Sequence, residues 1–144
     1  MKTQAAILFA INQPLQIIDL KIPKLKPGQV LVNIVYSSVC GSQLNEIKGL
    51  KGEDKYLPHT LGHEGSGVVL EVGQGVEKVR FGDHVVLSWI KGGGADVPST
   101  VYNSSEGSVN SGAISTFMGK TVISENRLVP IHKEMPLKEA SLLG

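Results

Sequence analysis

Short apolar runs with a period of two, separated by Gly and Pro, recur along the chain and predict β-strands rather than long helices. The clearest run is 29–36, whose apolar residues at even positions from Val30 to Tyr36 fall on one face. Further strands are predicted, in chain order, at residues 3–11, 15–20, 64–72, 84–89, 114–124 and 127–131. Many short strands with turns between them predict a mainly β fold with short helices, arranged as a small, partly open antiparallel barrel.

Two short helices and one long loop are predicted outside the strands. Residues 41–48 have helix-forming side chains and are followed by Gly49, which is a typical C-terminal stop. Residues 135–143 begin a second helix with Pro in its first turn. This helix has no visible partner, so we expect the chain to be part of a larger protein. Residues 91–112 are rich in Gly, Ser and Asn and lack periodicity, which predicts a long irregular loop.

Length and composition limit the class of protein. A chain of 144 residues fits one domain with a substantial core. The 14 Lys and Arg nearly balance the 13 Asp and Glu, and no basic block is present, so we expect no nucleic-acid partner. The single cysteine excludes an internal disulfide framework. No apolar stretch approaches the ~20 residues of a membrane span, so we expect a cytoplasmic domain with no membrane partner.

Candidate metal ligands lie in two segments. Cys40 is in Ser-Ser-Val-Cys-Gly-Ser-Gln, and His63 with Glu64 is in Leu-Gly-His-Glu-Gly-Ser-Gly. Thiolate sulfur and imidazole nitrogen are the ligands that zinc prefers, and a cysteine that opens a helix favours the thiolate. A lone cysteine is also a common small core residue, so the residues alone leave both interpretations open. The remaining histidines have no partner that we can name and are interpreted as ordinary loop or strand residues: His59, His84 and His132.

Several strings, in this order along the chain, resemble one known family. They are Val-Cys-Gly-Ser at 39–42, Leu-Gly-His-Glu-Gly-Ser-Gly-Val-Val at 61–69, Gly-Gln-Gly-Val at 73–76, Phe-Gly-Asp-His-Val at 81–85 and Leu-Leu-Gly at 142–144. Together they resemble the N-terminal catalytic domain of zinc-dependent medium-chain alcohol dehydrogenases, which is a GroES-like β-barrel. The resemblance implies that residues 1–144 form one such domain. The chain has no Gly-x-Gly-x-x-Gly, so we expect the nucleotide-binding Rossmann domain after residue 144.

The resemblance implies a catalytic zinc site. Cys40 and His63 correspond to two zinc ligands of the family, and Glu64 corresponds to an acidic neighbour that joins the metal transiently. The family's third ligand is a cysteine just after the Leu-Leu-Gly string, so we expect the site to be incomplete in this chain. The resemblance also leads us to expect no structural zinc, because residues 91–112 contain no cysteine.

Catalytic and substrate-binding roles also follow from the resemblance. Ser42 corresponds to the hydroxyl residue that takes the substrate proton, with a helix cap as the alternative. Glu64 is predicted to take part in catalysis, with a strand-start carboxylate paired to a cation as the alternative. Trp89 falls where the family has an aromatic wall of the substrate pocket, with core packing as the alternative. The family usually has Asp where this chain has Gln43, and an amide lacks the charge that makes His63 a more basic ligand.

The resemblance therefore implies part of a zinc-dependent oxidoreductase that uses NAD or NADP and acts on a small alcohol or aldehyde. Zinc would polarise the alcohol or carbonyl oxygen for hydride transfer, and the 144 residues alone would be inactive. We expect this chain to be a monomer or weak dimer, and the full-length enzyme to be a homo-oligomer. The alternatives are a zinc-free, quinone-reductase-like relative and a non-catalytic GroES-like barrel used for binding or assembly.

Overall fold

The computed structural model describes residues 1–144 and is mainly β, as the sequence predicts. The strands are β1 (Lys2–Leu8), β2 (Gln16–Lys21), β3 (Gln29–Ser37), β4 (His59–Thr60), β5 (Gly65–Val72), β6 (His84–Leu87), β7 (Val101–Ser104), β8 (Gly107–Asn110), β9 (Lys120–Ser124) and β10 (Leu128–Ile131). The α-helices are α1 (Gly41–Ile47) and α2 (Leu137–Ala140). A short 3-10 turn, Glu125–Arg127, joins β9 to β10. Neither helix has the length and apolar character needed to cross a bilayer.

The strands form a barrel and a second sheet. The barrel is closed, in the order β1-β2-β7-β8-β4. The short strand β4 completes the ring because it pairs antiparallel with β1 and parallel with β8. The second sheet is antiparallel, in the order β10-β6-β5-β3-β9. The prediction of a mainly β fold with an antiparallel barrel is confirmed. The barrel is closed rather than partly open, because β4 pairs with both β1 and β8, and the β4–β8 pair is parallel.

Strand β3 is buried on both faces. Val30 and Val32 pack into a cluster of nine buried residues from the second sheet and its loops. Leu31, on the opposite face, packs into a cluster of eight residues that come mostly from the barrel strands. Burial of each such side chain contributes about 1.5–3 kcal/mol to folding. The predicted single apolar face ends at a bulge between Ile34 and Tyr36, beyond which the Tyr36 side chain is exposed.

The segment 91–112 contains a β-hairpin, so the prediction of an irregular loop throughout it was wrong. Strands β7 and β8 pair antiparallel, and the hairpin joins the barrel between β2 and β4. Tyr102 and Val109 are its buried apolar residues. The Tyr102 hydroxyl accepts a hydrogen bond from the Val122 N–H at 2.8 Å. Two inward-facing residues in four-residue strands give too short an alternation to recognise among the surrounding Gly, Ser and Asn.

Several predicted elements are shorter in the structure, and β9 and α2 differ most from their predicted ranges. Strand β9 begins at Lys120 instead of residue 114. The chain before it turns so that the N–H groups of Thr116 and Phe117 donate to the Leu61 carbonyl at 3.1 and 3.0 Å. Helix α2 is a single turn rather than the predicted 135–143.

A buried carboxylate holds two loops against the second sheet. Glu125 is 3% exposed and accepts backbone N–H groups at 2.7, 2.7 and 2.8 Å from Glu77, Lys78 and Ala95 respectively. Burial raises the pKa of Glu125, but the three N–H donors outweigh that effect and hold the pKa below its usual value. The ionised side chain therefore supplies the acceptors that these loop amides need.

Tyr102→Phe tests the hairpin. The substitution keeps the buried ring and leaves the Val122 N–H without its acceptor. We expect the free energy of unfolding to fall by about 1–3 kcal/mol, measured by urea denaturation. Tyr36→Phe is the matched control, because Tyr36 is exposed to solvent, and it should change stability by less than about 0.5 kcal/mol. Equal stabilities of the two variants would contradict the role given to the Tyr102 hydroxyl.

Glu125→Gln tests the buried carboxylate. An amide group cannot accept from all three N–H donors, so we expect a loss of about 1.5–3 kcal/mol in unfolding free energy at neutral pH. Because the folded-state pKa lies below the ordinary value of 4.5, the carboxylate stabilises the fold above that value. This stabilisation disappears as the pH falls through the folded-state pKa.

The stability difference between wild type and Glu125→Gln should therefore shrink in acid, as measured by denaturation across a pH series. Glu106→Gln removes an exposed carboxylate and serves as the control. A difference between wild type and Glu125→Gln that does not vary with pH would contradict the assigned ionisation.

Candidate metal centre

The pairing of β3 with β5 brings the two predicted segments together. In this antiparallel pair Ser37 lies opposite Gly65, so the chain leaving β3 runs beside the chain entering β5. A further backbone bond, from the Ser38 N–H to the Glu64 carbonyl at 3.2 Å, extends the pairing toward the site. Cys40 follows one strand and His63 precedes the other, so residues distant in sequence become neighbours.

Cys40, His63 and Glu64 form a cluster of possible metal ligands. Each offers one ligand atom, and these atoms all lie within 4.8 Å of one another. All three residues are partly buried. A sulfur, a ring nitrogen and a carboxylate oxygen are donors that zinc accepts in proteins. The donor set therefore fits a zinc ion, and the structure places all three sequence-predicted ligands together.

The Cys40 thiol lies among groups that favour its ionised form. The backbone N–H and the side chain of Ser42 hydrogen-bond to the sulfur and hold the pKa of Cys40 below its usual value, while the Glu64 charge opposes this effect. Cys40 also occupies the N-cap position of α1. Ser42 is inside the first turn, so the helix-cap alternative for Ser42 does not match its position.

Gln43 connects the two principal ligands. It is 3% exposed, and its side-chain oxygen accepts the Cys40 N–H at 3.0 Å. Its Nε2 hydrogen-bonds to His63 Nδ1, and Ser42 Oγ lies 3.4 Å from the same nitrogen. Because an NH2 group only donates, Nδ1 is the acceptor here and a neutral ring carries its proton on Nε2. A carboxylate at this position would instead accept a proton from Nδ1 and leave Nε2 free for a metal.

Trp89 lies beside the ligands and outside the core. Its side chain is 58% exposed, so the core-packing alternative does not match its position. The indole meets the His63 ring edge-on, with 6.1 Å between the ring centroids. The guanidinium of Arg127 lies 5.6 Å from the indole centroid and donates a hydrogen bond to the Trp89 carbonyl. These contacts hold the aromatic ring next to the candidate ligands.

The cluster opens into a cavity of about 910 Å³. Cys40, Ser42, His63 and Trp89 all contribute to its wall. Seven of its 19 lining residues are hydrophobic, so apolar and polar side chains share the wall. The predicted pocket residue Trp89 and two of the three predicted metal ligands, Cys40 and His63, therefore line the same cavity.

Gly62 fixes the backbone immediately before His63. Its φ is +92°, a conformation that favours glycine. A Cβ at this position would lie 2.2 Å from Thr116 Oγ1 and 2.8 Å from Phe117 Cδ1. The same two residues donate their N–H groups to the Leu61 carbonyl. The segment at 116–117 thus holds the chain at 61–62.

A second cluster was missed by sequence reasoning. Glu46, Asp54 and His59 also offer ligand atoms within 4.8 Å of one another. His59 has no partner in the sequence interpretation, yet it is buried and its Nε2 lies 2.6 Å from Asp54 Oδ2. No periodicity indicates this contact, because Asp54 belongs to a segment without regular structure.

A family model identifies the family, and a sequence search finds relatives that match part of the chain. The family model described as the alcohol dehydrogenase GroES-like domain matches residues 26–138. S-(hydroxymethyl)glutathione dehydrogenases from Synechocystis sp. and from Escherichia coli O1:K1 / APEC are both 42% identical to this chain over 86 residues. The matched segment is 60% of this chain and 23% of each relative, so it spans less than a quarter of the relatives' length.

Solved structures share the fold. An alcohol dehydrogenase zinc-binding domain protein from Burkholderia ambifaria superposes with a TM-score of 0.84 at 28% identity, over 95% of this chain and 44% of that chain. Benzyl alcohol dehydrogenase from Acinetobacter calcoaceticus superposes with a TM-score of 0.77 at 26% identity, over 95% of this chain and 43% of that one. The resemblance seen in the sequence is confirmed: the chain belongs to the alcohol dehydrogenase GroES-like domain family.

Proposed function

We propose that this chain is the catalytic-domain part of a zinc-dependent oxidoreductase that uses NAD or NADP and acts on a small alcohol or aldehyde. The observation that carries the proposal is the cluster of Cys40, His63 and Glu64, two of which, Cys40 and His63, line a cavity of about 910 Å³. The names of the relatives support the reaction class, since they are dehydrogenases of S-(hydroxymethyl)glutathione and of benzyl alcohol.

Cys40, His63 and Glu64 are the residues that would hold zinc. When bound, the ion would polarise the alcohol or carbonyl oxygen as a Lewis acid. Three protein ligands are the usual number in catalytic zinc sites. Ser42 prepares the cluster because its hydrogen bonds to the Cys40 sulfur favour the thiolate. Glu64 supplies the carboxylate oxygen, whether or not a further ligand joins from elsewhere in the whole protein.

Ser42 is the residue best placed to take a proton from a substrate hydroxyl. Its side chain lines the cavity and lies against both Cys40 and His63. A hydroxyl donates and accepts at the same time, so it can receive one proton while it passes on another. Ser42 Oγ also lies 3.4 Å from His63 Nδ1, which places the hydroxyl beside the proposed ligands.

Trp89 would bind the apolar part of the substrate. Its exposed ring offers a flat apolar surface in the wall of the cavity, held by the contacts with His63 and Arg127. Hydride transfer requires a bound nicotinamide, which we assign to a nucleotide-binding domain of the whole protein. The whole protein is proposed to be a cytoplasmic homo-oligomer, and this chain alone a monomer or weak dimer.

Zinc content and zinc affinity test the proposal, on this chain and on one extended through a nucleotide-binding domain. We expect the extended protein to hold zinc and to oxidise alcohols with NAD or NADP, and this chain alone to show no turnover. Cys40→Ala and His63→Ala should each weaken zinc binding by more than about 100-fold, which exceeds the usual effect of residues that only contact ligands. His132→Ala removes an exposed imidazole and should leave zinc affinity unchanged.

Two results would contradict the proposal. If neither protein holds zinc, the zinc-free, quinone-reductase-like alternative replaces this proposal. If zinc binds equally well to Cys40→Ala and to wild type, the metal lies elsewhere and the assignment of this cluster is wrong.

Gln43→Glu tests how the ligands are oriented. The substitution keeps the side-chain length and replaces the NH2 group that faces His63 Nδ1 by an acceptor oxygen. The ring would then carry its proton on Nδ1 and present Nε2 to the metal. We expect zinc affinity to rise by about tenfold, measured by competition with a chelator. Gln16→Glu adds the same charge at an exposed site and should have no effect; an equal gain in both variants would show a general charge effect.

A further inference from the structure

We propose that Glu46, Asp54 and His59 form a second divalent-cation site, separate from the cluster around Cys40. The three side chains come from different segments: Glu46 from α1, Asp54 from the loop that follows it, and His59 from β4. Their ligand atoms all lie within 4.8 Å of one another. The site would therefore join one helix, one strand and the irregular chain between them.

The hydrogen bonding of His59 directs one ring nitrogen at this cluster. His59 is 6% exposed, and its Nδ1 lies 2.8 Å from the Thr60 carbonyl oxygen. A carbonyl oxygen only accepts, so Nδ1 carries a proton and donates it. In the neutral ring Nε2 is then an acceptor with a free lone pair. A bond from the other ring nitrogen to a backbone carbonyl is a usual arrangement for histidines that bind metals.

Two carboxylates face that same nitrogen. Asp54 Oδ2 lies 2.6 Å and Glu46 Oε1 lies 3.7 Å from His59 Nε2. Acceptor atoms do not bond to each other, so a proton or a metal cation has to lie among them. A proton on His59 balances one of the two carboxylate charges, whereas a divalent cation balances both. Lys51 lies 3.9 Å from the other Glu46 oxygen, but its side chain is 55% exposed, so it contributes little.

Asp54 is oriented for this role by the backbone. Its Oδ1 accepts the Tyr56 N–H at 2.9 Å, which leaves Oδ2 to the cluster. One carboxylate oxygen of Asp54 is therefore held by the backbone, and the other is already directed at His59 Nε2.

The donor set indicates the class of cation. One imidazole nitrogen and two carboxylate oxygens suit Mn²⁺ or Zn²⁺, whereas the thiolate of Cys40 selects zinc over manganese. Glu46 and His59 line the same cavity as Cys40, so a cation between them would be accessible to small molecules in that cavity. Mn²⁺ is thus the probe that separates this site from the cluster around Cys40.

The test is a titration of the 144-residue chain with Mn²⁺, with free Mn²⁺ followed by electron paramagnetic resonance. We expect one bound ion per chain, and the same binding in Cys40→Ala. Asp54→Asn and Glu46→Gln should each lower the affinity by at least about tenfold. Glu53→Gln is the matched control, because it removes an exposed carboxylate next to Asp54, and it should bind Mn²⁺ as wild type does.

A second measurement uses only the wild-type chain, so it does not depend on whether a variant folds. Bound Mn²⁺ should broaden the nuclear magnetic resonances of Tyr56, His59 and Thr60 in wild type before those of residues in β10. The proposal is overturned if free Mn²⁺ is not depleted, or if Glu53→Gln weakens binding as much as Asp54→Asn. In that case a proton joins His59 to Asp54, and ¹⁵N spectra of the wild-type chain will show both ring nitrogens of His59 protonated.

Discussion

The burial of β3 on both faces is the constraint on which the rest of the structure depends. A strand with apolar residues on both faces is stable only between neighbours that cover both of them. Here Val30 and Val32 belong to one core and Leu31 to the other. The position of β3 between β5 and β9 brings the chain before β5 beside Cys40. Because β9 is paired with β3, the turn that precedes β9 lies against Leu61 and donates two N–H groups to its carbonyl. Two hydrophobic cores thereby fix the place where polar ligands meet.

Much of the fold could be predicted because most strands carry their own alternation of apolar and polar residues. Strand β3 is the clearest case, since apolar residues occupy every second position from Val30 to Tyr36. The hairpin of β7 and β8 could not be predicted in the same way. Its stability depends on Tyr102 reaching the Val122 N–H, and on β2 and β4 as neighbours, which are contacts between distant parts of the chain. Short strands that depend on such contacts leave little pattern in their own sequence.

Some residues of the candidate sites could likewise be predicted from the sequence, and others could not. Cys40 and His63 could be proposed because sulfur and imidazole in these strings resemble a known set of ligands. The contact of Gln43 with both of them could be anticipated only in outline, since the direction of an amide follows from what each of its atoms meets. Asp54 and His59 meet through a segment whose course depends on the surrounding fold, and no local spacing records it. Sequence thus indicates ligands that lie in recognisable strings better than ligands that meet only through a segment without regular structure.

Gly62 has a consequence for how this domain can diversify. Its left-handed backbone and the closeness of Thr116 and Phe117 leave no room for a side chain. The packing around Gly62 therefore fixes the position of His63, and surface substitutions should not move it. Trp89 and Ile90 line the cavity on the exposed side and meet no comparable restriction. Substitutions at Trp89 and Ile90 can therefore change which molecules the cavity accepts, while His63 stays in the same position.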